Sequence, residues 1–269
     1  MGIILDNLAI ETTRRCNLKC DHCMRGVSQN IDLTPEIVDY ILENDEIKRI
    51  NFICFSGGEP TLNPNIIIYT INKIITNNLD VCEIAMVTNG QIFNRELVEA
   101  FNRFNEYRNK RVEESMKKSF SGLNKSLLNK LIRDNMDNHA RITFSTDEFH
   151  KPVNLEVESN YHKYSKGLEI TNHEVKDEDI YKTGFATFGK DFEYKLDQCR
   201  YYEEHTDFDI IDNIYVTATG YITSEGMGQY TDMDKTNMGH ITNTTLMEVL
   251  AKYGEPILGA RKVIDYKKK

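Results

Sequence analysis

Apolar positions along the chain follow two periods in turn, and their alternation predicts the fold. "NLAIETT", ending at Thr13, alternates apolar and polar residues as a half-buried strand does. "LTPEIVDYILEND" opens with Thr34 as N-cap and Pro35 in the first turn, then sets Ile37, Val38, Ile41 and Leu42 on one helical face. "RINFICFS" is mostly apolar, the pattern of a strand covered on both faces. "NPNIIIYTINKIIT" repeats the start signal with Asn63 and Pro64. "CEIAMVTNG" predicts a third strand and "NRELVEAFNRF", capped by Asn94, a third helix. "ARITFSTDEF" predicts a fourth strand and "GLEITNHEV" a fifth. Strand, loop and helix in repeated order imply parallel βα units. The fold class expected is α/β, an open or partial barrel with its chemistry at the C-terminal ends of the strands. Residues 106–138 interrupt the series as a helical insertion on the barrel rim. Further on, "FDIIDNIYVTATGYITS" predicts a hairpin turning at Gly220, and "TTLMEVLAKYG" a short helix stopped by glycine. Two domains are expected, a barrel over 1–198 and a C-terminal extension over 199–269.

Composition narrows the class. The chain has 269 residues, 40% hydrophobic and 28% charged, enough for one large α/β domain. No apolar run approaches a membrane span, and "MGIILDNLAIETT" lacks the marks of a signal peptide, so a cytoplasmic protein with no membrane partner is expected. The net charge of −9 argues against nucleic acid as partner. It is unevenly spread, since Glu106–Arg133 carries eight basic and three acidic residues while Glu169–Asp212 carries thirteen acidic and five basic ones.

Six cysteines change the picture more. Cys54 and Cys82 lie inside apolar runs and read as buried small hydrophobes. Cys16, Cys20 and Cys23 instead form one C-x3-C-x2-C loop directly after the first strand. In a reducing compartment such a cluster points to metal or catalysis. A structural zinc site closes its tetrahedron with a fourth ligand, and no second C-x2-C exists here. An iron–sulfur cubane held by three thiolates leaves one iron open to an outside ligand, which suits this loop better than zinc.

The loop "CNLKCDHC" resembles the C-x3-C-x-φ-C signature of the radical S-adenosylmethionine (radical SAM) superfamily, with His22 in the usually aromatic place. Three further motifs agree, each at the end of an expected strand. "SGGEP" is similar to the family's GGEP motif, with Gly57, Gly58, Glu59 and Pro60; its amides and carboxylate suit the methionine end of the cofactor. "VTNG" sets Thr88 and Asn89 like cofactor-facing polar residues, and "FSTDEFH" sets Ser145 and Asp147 like the family's ribose contacts. The resemblance implies a partial (β/α)6 TIM-type barrel. It implies a [4Fe-4S] cluster on Cys16, Cys20 and Cys23, and S-adenosylmethionine chelated at the open iron. An electron from a flavodoxin- or ferredoxin-like donor then yields methionine and a 5′-deoxyadenosyl radical, which abstracts a hydrogen atom from a substrate.

The C-terminal part has the layout of a SPASM/twitch-like extension. No cysteine follows Cys199, so a degenerate form without an auxiliary cluster is expected. Cys199, as a thiol hydrogen donor, and His150, as general acid/base or substrate contact, are the candidate catalytic residues. Through "CFSGGEPTLNP" the resemblance implies a peptide or protein side chain as substrate, by epimerisation or cross-linking. A nucleoside- or sugar-like metabolite stands second. A non-catalytic metal-binding interaction protein is the reading from another class.

Overall fold

Strand β1 (Gly2–Thr13) lies inside the sheet, with β2 (Ile47–Gly57) parallel on one side. From β2 the sheet continues through β3 (Val81–Thr88), β4 (Ala140–Ser145) and β5 (Glu169–His173), each parallel to the last. The computed structural model describes residues 2–134, 136–176, 180–191, 199–203, 208–224, 226 and 228–256. Helices α1 (Pro35–Leu42), α2 (Pro64–Thr76), α3 (Arg95–Ser119), α4 (Lys125–Asp134) and α5 (Leu155–Tyr164) form the crossovers.

The side-chain period of two divides each strand between the faces. Ile53 and Phe55 of β2, Ile84 and Met86 of β3, and Ile142 and Phe144 of β4 join one buried core with Ile67, Ile71 and Ile74 of α2 and Leu97, Phe101 and Phe104 of α3. The intervening Phe52, Cys54 and Ser56 are only half-buried and look into the concave side.

The division expected at residue 199 does not coincide with any break in the sheet. β6 (Cys199–Glu203), β7 (Phe208–Val216) and β10 (Gly254–Pro256) belong to it, in the order β10-β6-β7-β1-β2-β3-β4-β5. β7 runs parallel to β1 from Gly2↔Phe208 to Ile10↔Val216 and is the sixth parallel strand. The expected hairpin forms between β7 and β8 (Tyr221–Thr223), with Gly220 at φ +87°. β9 (Gly239–His240), the short α6 (Tyr230–Met233) and α7 (Leu246–Tyr253) complete the described chain, α7 closed at its start by a Thr245/Glu248 capping box.

The basic insertion is not at the mouth. It continues α3 and adds α4. Tyr107, Arg108 and Arg111 of α3 bond Asn78, Leu79 and Asp80, the turn that leads into β3. Residues 106–134 therefore stand at the N-terminal ends of the strands, opposite the end where a barrel carries its chemistry.

Candidate active site

The loop after β1 is fastened before its cysteines begin. The Arg14 amide donates to Ile31 O at 2.8 Å, and the Arg15 guanidinium holds Asp32 at 2.8 Å and Leu62 O at 2.6 Å. Asn89 Nδ2, at the end of β3, donates to Asn17 Oδ1 at 2.8 Å. Cys16, Cys20 and Cys23 are all half-buried, and all line one cavity of 640 Å³ at the C-terminal ends of β2 to β5. Burial raises the Cys16 thiol above its ordinary range; burial, then the neighbouring Cys23 and Cys16, push Cys20 up to about 11. Thiols grouped this closely, with Cys23 among the neighbours that oppose ionisation of Cys16 and Cys20, fit a cationic metal centre, which would stabilise the thiolates. The buried Nδ1 of His22, on the same wall, has no partner among the described residues. Both observations fit a cluster with a bound cofactor beside it.

The strand ends supply the opposite wall, but with different jobs from those expected for "SGGEP". The amides of Gly58 and Glu59 donate to Thr13 O and Arg15 O, both at 2.8 Å, so they hold the cysteine loop and are not available to a ligand. A Cβ on Gly57 would lie 2.3 Å from Thr13 O, and one on Gly58 would lie 2.2 Å from Arg15 O. Close approach of two backbones is what these glycines permit. Glu59 is buried. Its Oε1 accepts from the Thr61 amide (3.0 Å), the Thr61 hydroxyl (2.6 Å) and the Thr88 hydroxyl (2.7 Å), and its Oε2 from the Asn89 amide (2.8 Å). The carboxylate thus ties the ends of β2 and β3 together. Pro60, Thr88, Asn89 and Ser145 line the cavity beside it.

At the end of β4, Asp147 accepts from the Phe149 amide (3.0 Å), the Val175 amide (3.3 Å) and His150 Nδ1 (2.8 Å to either oxygen). Burial opposes its charge, yet His150 and the two amides hold it below the usual carboxylate range. Its partners within the protein are the His150 imidazole and two backbone amides. The His150 ring lines the cavity and meets His22 edge-on at 4.4 Å, while Phe149 lies 5.3 Å from His22. With Nδ1 on the carboxylate, Nε2 is the imidazole's remaining polar atom.

The third wall comes from parts of the chain that carried little signal. Residues 180–191 fold onto the cysteine loop, with the Phe185 amide donating to Cys23 O at 2.9 Å and Gly184 at φ +64°. Below lies a buried ionic group. Arg14 donates to Glu11 at 2.9 Å and to both oxygens of Asp234 at 2.7 and 2.6 Å, and Glu11 also accepts from the Ala218 amide at 2.8 Å. Arg25 donates to the Tyr215 hydroxyl at 3.0 Å, and that hydroxyl donates to Glu11 at 3.2 Å. Sequence reasoning passed over these residues. The one available signal was "ETTRR", which places a charge inside a strand otherwise fit for burial.

Cys199 is fully buried in β6, within the hydrophobic core, and is not among the residues that line the cavity, where a hydrogen donor to the substrate would have to stand. Cys54 and Cys82 are half-buried instead of core residues. Cys54 looks into a second cavity inside the sheet, and Cys82 receives Arg49 at 2.9 Å and Arg108 at 3.3 Å.

Residues 10–117 match the family model described as the Radical SAM superfamily. The chain is 33% identical over 104 residues to an uncharacterized protein of Methanocaldococcus jannaschii, covering 35% of this chain and 34% of that one. It is 35% identical over 105 residues to a GTP 3′,8-cyclase of Clostridium acetobutylicum, covering 33% and 29%. The matched part thus spans about a third of these curated relatives. A solved structure of native anSMEcpe with bound AdoMet shares the fold, at TM-score 0.52 and 13% identity over 91% of this chain and 80% of that one. No helix among the described residues is long and apolar enough to cross a membrane.

Proposed function

Since residues 10–117 belong to the radical SAM superfamily, we propose that the protein is an enzyme that uses S-adenosylmethionine to open a radical reaction on a substrate. One observation carries the reading: three half-buried thiols, spaced C-x3-C-x2-C, share one cavity with the C-terminal ends of β2, β3, β4 and β5. Cys16, Cys20 and Cys23 would hold a [4Fe-4S] cluster, which with S-adenosylmethionine would supply radical abstraction of a hydrogen atom from the substrate.

The chain's own residues do the rest. Cys16, Cys20 and Cys23 hold the cluster, and Asn89 and Arg15 fix the loop that presents them. Gly57, Gly58, Glu59 and Pro60 set the end of β2 against that loop, and Ser145 and Thr88 border the cofactor's place. His22 and Phe149 offer ring faces to an adenine. Asp147 orients His150 so that Nε2 can hold or move a proton in the cavity. An electron enters from a flavodoxin- or ferredoxin-like donor.

A peptide or protein side chain is the substrate class we favour. A 640 Å³ cavity that must house a cluster and S-adenosylmethionine leaves little enclosed room for a second whole metabolite. A side chain presented from outside needs less. The relatives named GTP 3′,8-cyclase support a nucleotide-like metabolite as the second reading.

The test is 5′-deoxyadenosine formation by anaerobically reconstituted protein given S-adenosylmethionine and dithionite, against a Cys16/Cys20/Cys23→Ala triple variant. Product from the wild type alone supports the reading. Purified protein that binds zinc and makes no product overturns it in favour of a metal-binding interaction protein.

A further inference from the structure

Two arginines flank the cysteine motif's cavity wall, and the structure treats them differently. Arg14 is completely buried and meets two carboxylates, Glu11 and Asp234, within 2.9 Å. Arg25 lines the cavity two residues after Cys23 and meets only neutral acceptors, the Tyr215 hydroxyl at 3.0 Å and Met233 Sδ at 2.7 Å. No carboxylate of a described residue lies within 4.0 Å of it; Glu11 attracts it at longer range and through the Tyr215 hydroxyl, and Cys23 adds a smaller attraction. Its guanidinium sits against two aromatic faces, Tyr215 at 5.2 Å and Tyr230 at 5.9 Å.

A guanidinium presents five N–H donors in a rigid fork that matches the two oxygens of an oxyanion. A thioether and a phenol are weak partners for a charge withdrawn from water. The ring faces fix its plane without neutralising it. The wall on which it stands also matters. The proposed cofactor site uses the cysteine loop and the ends of β2, β3 and β4, whereas Arg25 stands with Tyr230 and Gly226 on the side supplied by the chain after β7. It is therefore placed for the substrate.

We propose that Arg25 is a specificity-determining residue that binds an oxyanion of the substrate, a carboxylate or a phosphate. This rests on the function proposed above and adds a requirement to it. A substrate lacking an anionic group near its reacting carbon is a poor one. The two sources separate by probe, since acetate stands for a peptide carboxylate and inorganic phosphate for a phosphorylated metabolite.

The experiment uses the reconstituted holoenzyme with S-adenosylmethionine bound. Its thermal midpoint is followed in acetate, inorganic phosphate and chloride at matched ionic strength, for the wild type, Arg25→Gln, Arg25→Lys and Lys19→Gln. Lys19, the other cation on this cavity, lies over Phe185 and serves as control. Acetate or phosphate should raise the wild-type midpoint above chloride. Arg25→Lys should keep part of the response, Arg25→Gln should bind the probe at least about tenfold more weakly, and Lys19→Gln should respond like the wild type. S-adenosylmethionine affinity, measured by calorimetry, should stay within about twofold in every variant. A wild type indifferent to both anions overturns the proposal, even if Arg25→Gln fails to fold. So does an equal response in Arg25→Gln. Failure of the wild type to bind S-adenosylmethionine at all would instead strike the underlying function.

Discussion

At the level of single residues, the Glu59 carboxylate gathers donors from the ends of β2 and β3, and Asp147 holds the His150 ring at the end of β4. Three cysteines in eight positions announce a metal site without any fold. Glu59 shows the limit. Its motif marks it as important, but only the fold reveals that Thr61, Thr88 and Asn89 all donate to it. Asn63 is similar: it stands at the expected helix start, yet its side chain donates to Thr12 O at 2.8 Å instead of capping. Glu59→Ala should leave four buried donors unanswered and lower unfolding free energy by roughly 2–4 kcal/mol in urea titration. Asp147→Asn belongs here too. It should leave 5′-deoxyadenosine formation largely intact while slowing product formation, because His150 loses the carboxylate that fixes its tautomer. Equal loss of both rates would assign Asp147 to the cofactor alone.

Among the elements, the parallel strands up to β5 and helices α1 to α4 followed from period and punctuation, since each apolar stripe serves one local burial, whereas α5 (Leu155–Tyr164) did not. The packing of residues 180–191 on the cysteine loop did not, because it depends on a backbone fit without hydrophobic pattern. Gly184 is its tightest point. At φ +64°, an added Cβ would stand 2.5 Å from both Cys23 O and Met24 O. Gly184→Ala should therefore lift this segment from the loop, costing about 1–2 kcal/mol. Exposed to solvent, the cluster should bleach faster in air than in the wild type, as followed by its visible absorption. An unchanged bleaching rate would show that the segment does not shield the site.

For the molecule as a whole, the described strands on both sides of residue 199 share one sheet. The chain after residue 199 looked like an appendage because its strands are short and its acidic stretches break the βα rhythm. Its β7 is nevertheless hydrogen-bonded along β1, and its Asp234 neutralises Arg14. A chain ended at residue 198 should fail to fold as a barrel, seen as loss of a cooperative thermal transition. Glu11→Gln, which breaks the buried group that joins both parts, should cost about 3–5 kcal/mol. The basic insertion, by contrast, stands at the far end of the strands, so reversing the charges of Lys117, Lys118 and Lys125 should leave 5′-deoxyadenosine formation unchanged.

The bond from Arg14 to Asp234 spans 220 residues, and the strand that flanks β1 opposite β2 is made some two hundred residues after it. During synthesis, β1 and the cysteine loop leave the ribosome some two hundred residues before β7 and Asp234 do. Such non-local pairing is slow to form. The early partners Ile31, Asp32, Leu62 and Asn89 already hold the start of the loop. Its cover from Phe185 and the Arg14–Asp234 pair forms only after those residues are made, and until then the thiols are more open to oxidation or to the wrong metal. Cluster delivery is then a step that follows synthesis of β7 and Asp234, and slowing translation between residues 180 and 234 should lower the iron content of the purified protein without lowering its yield of polypeptide.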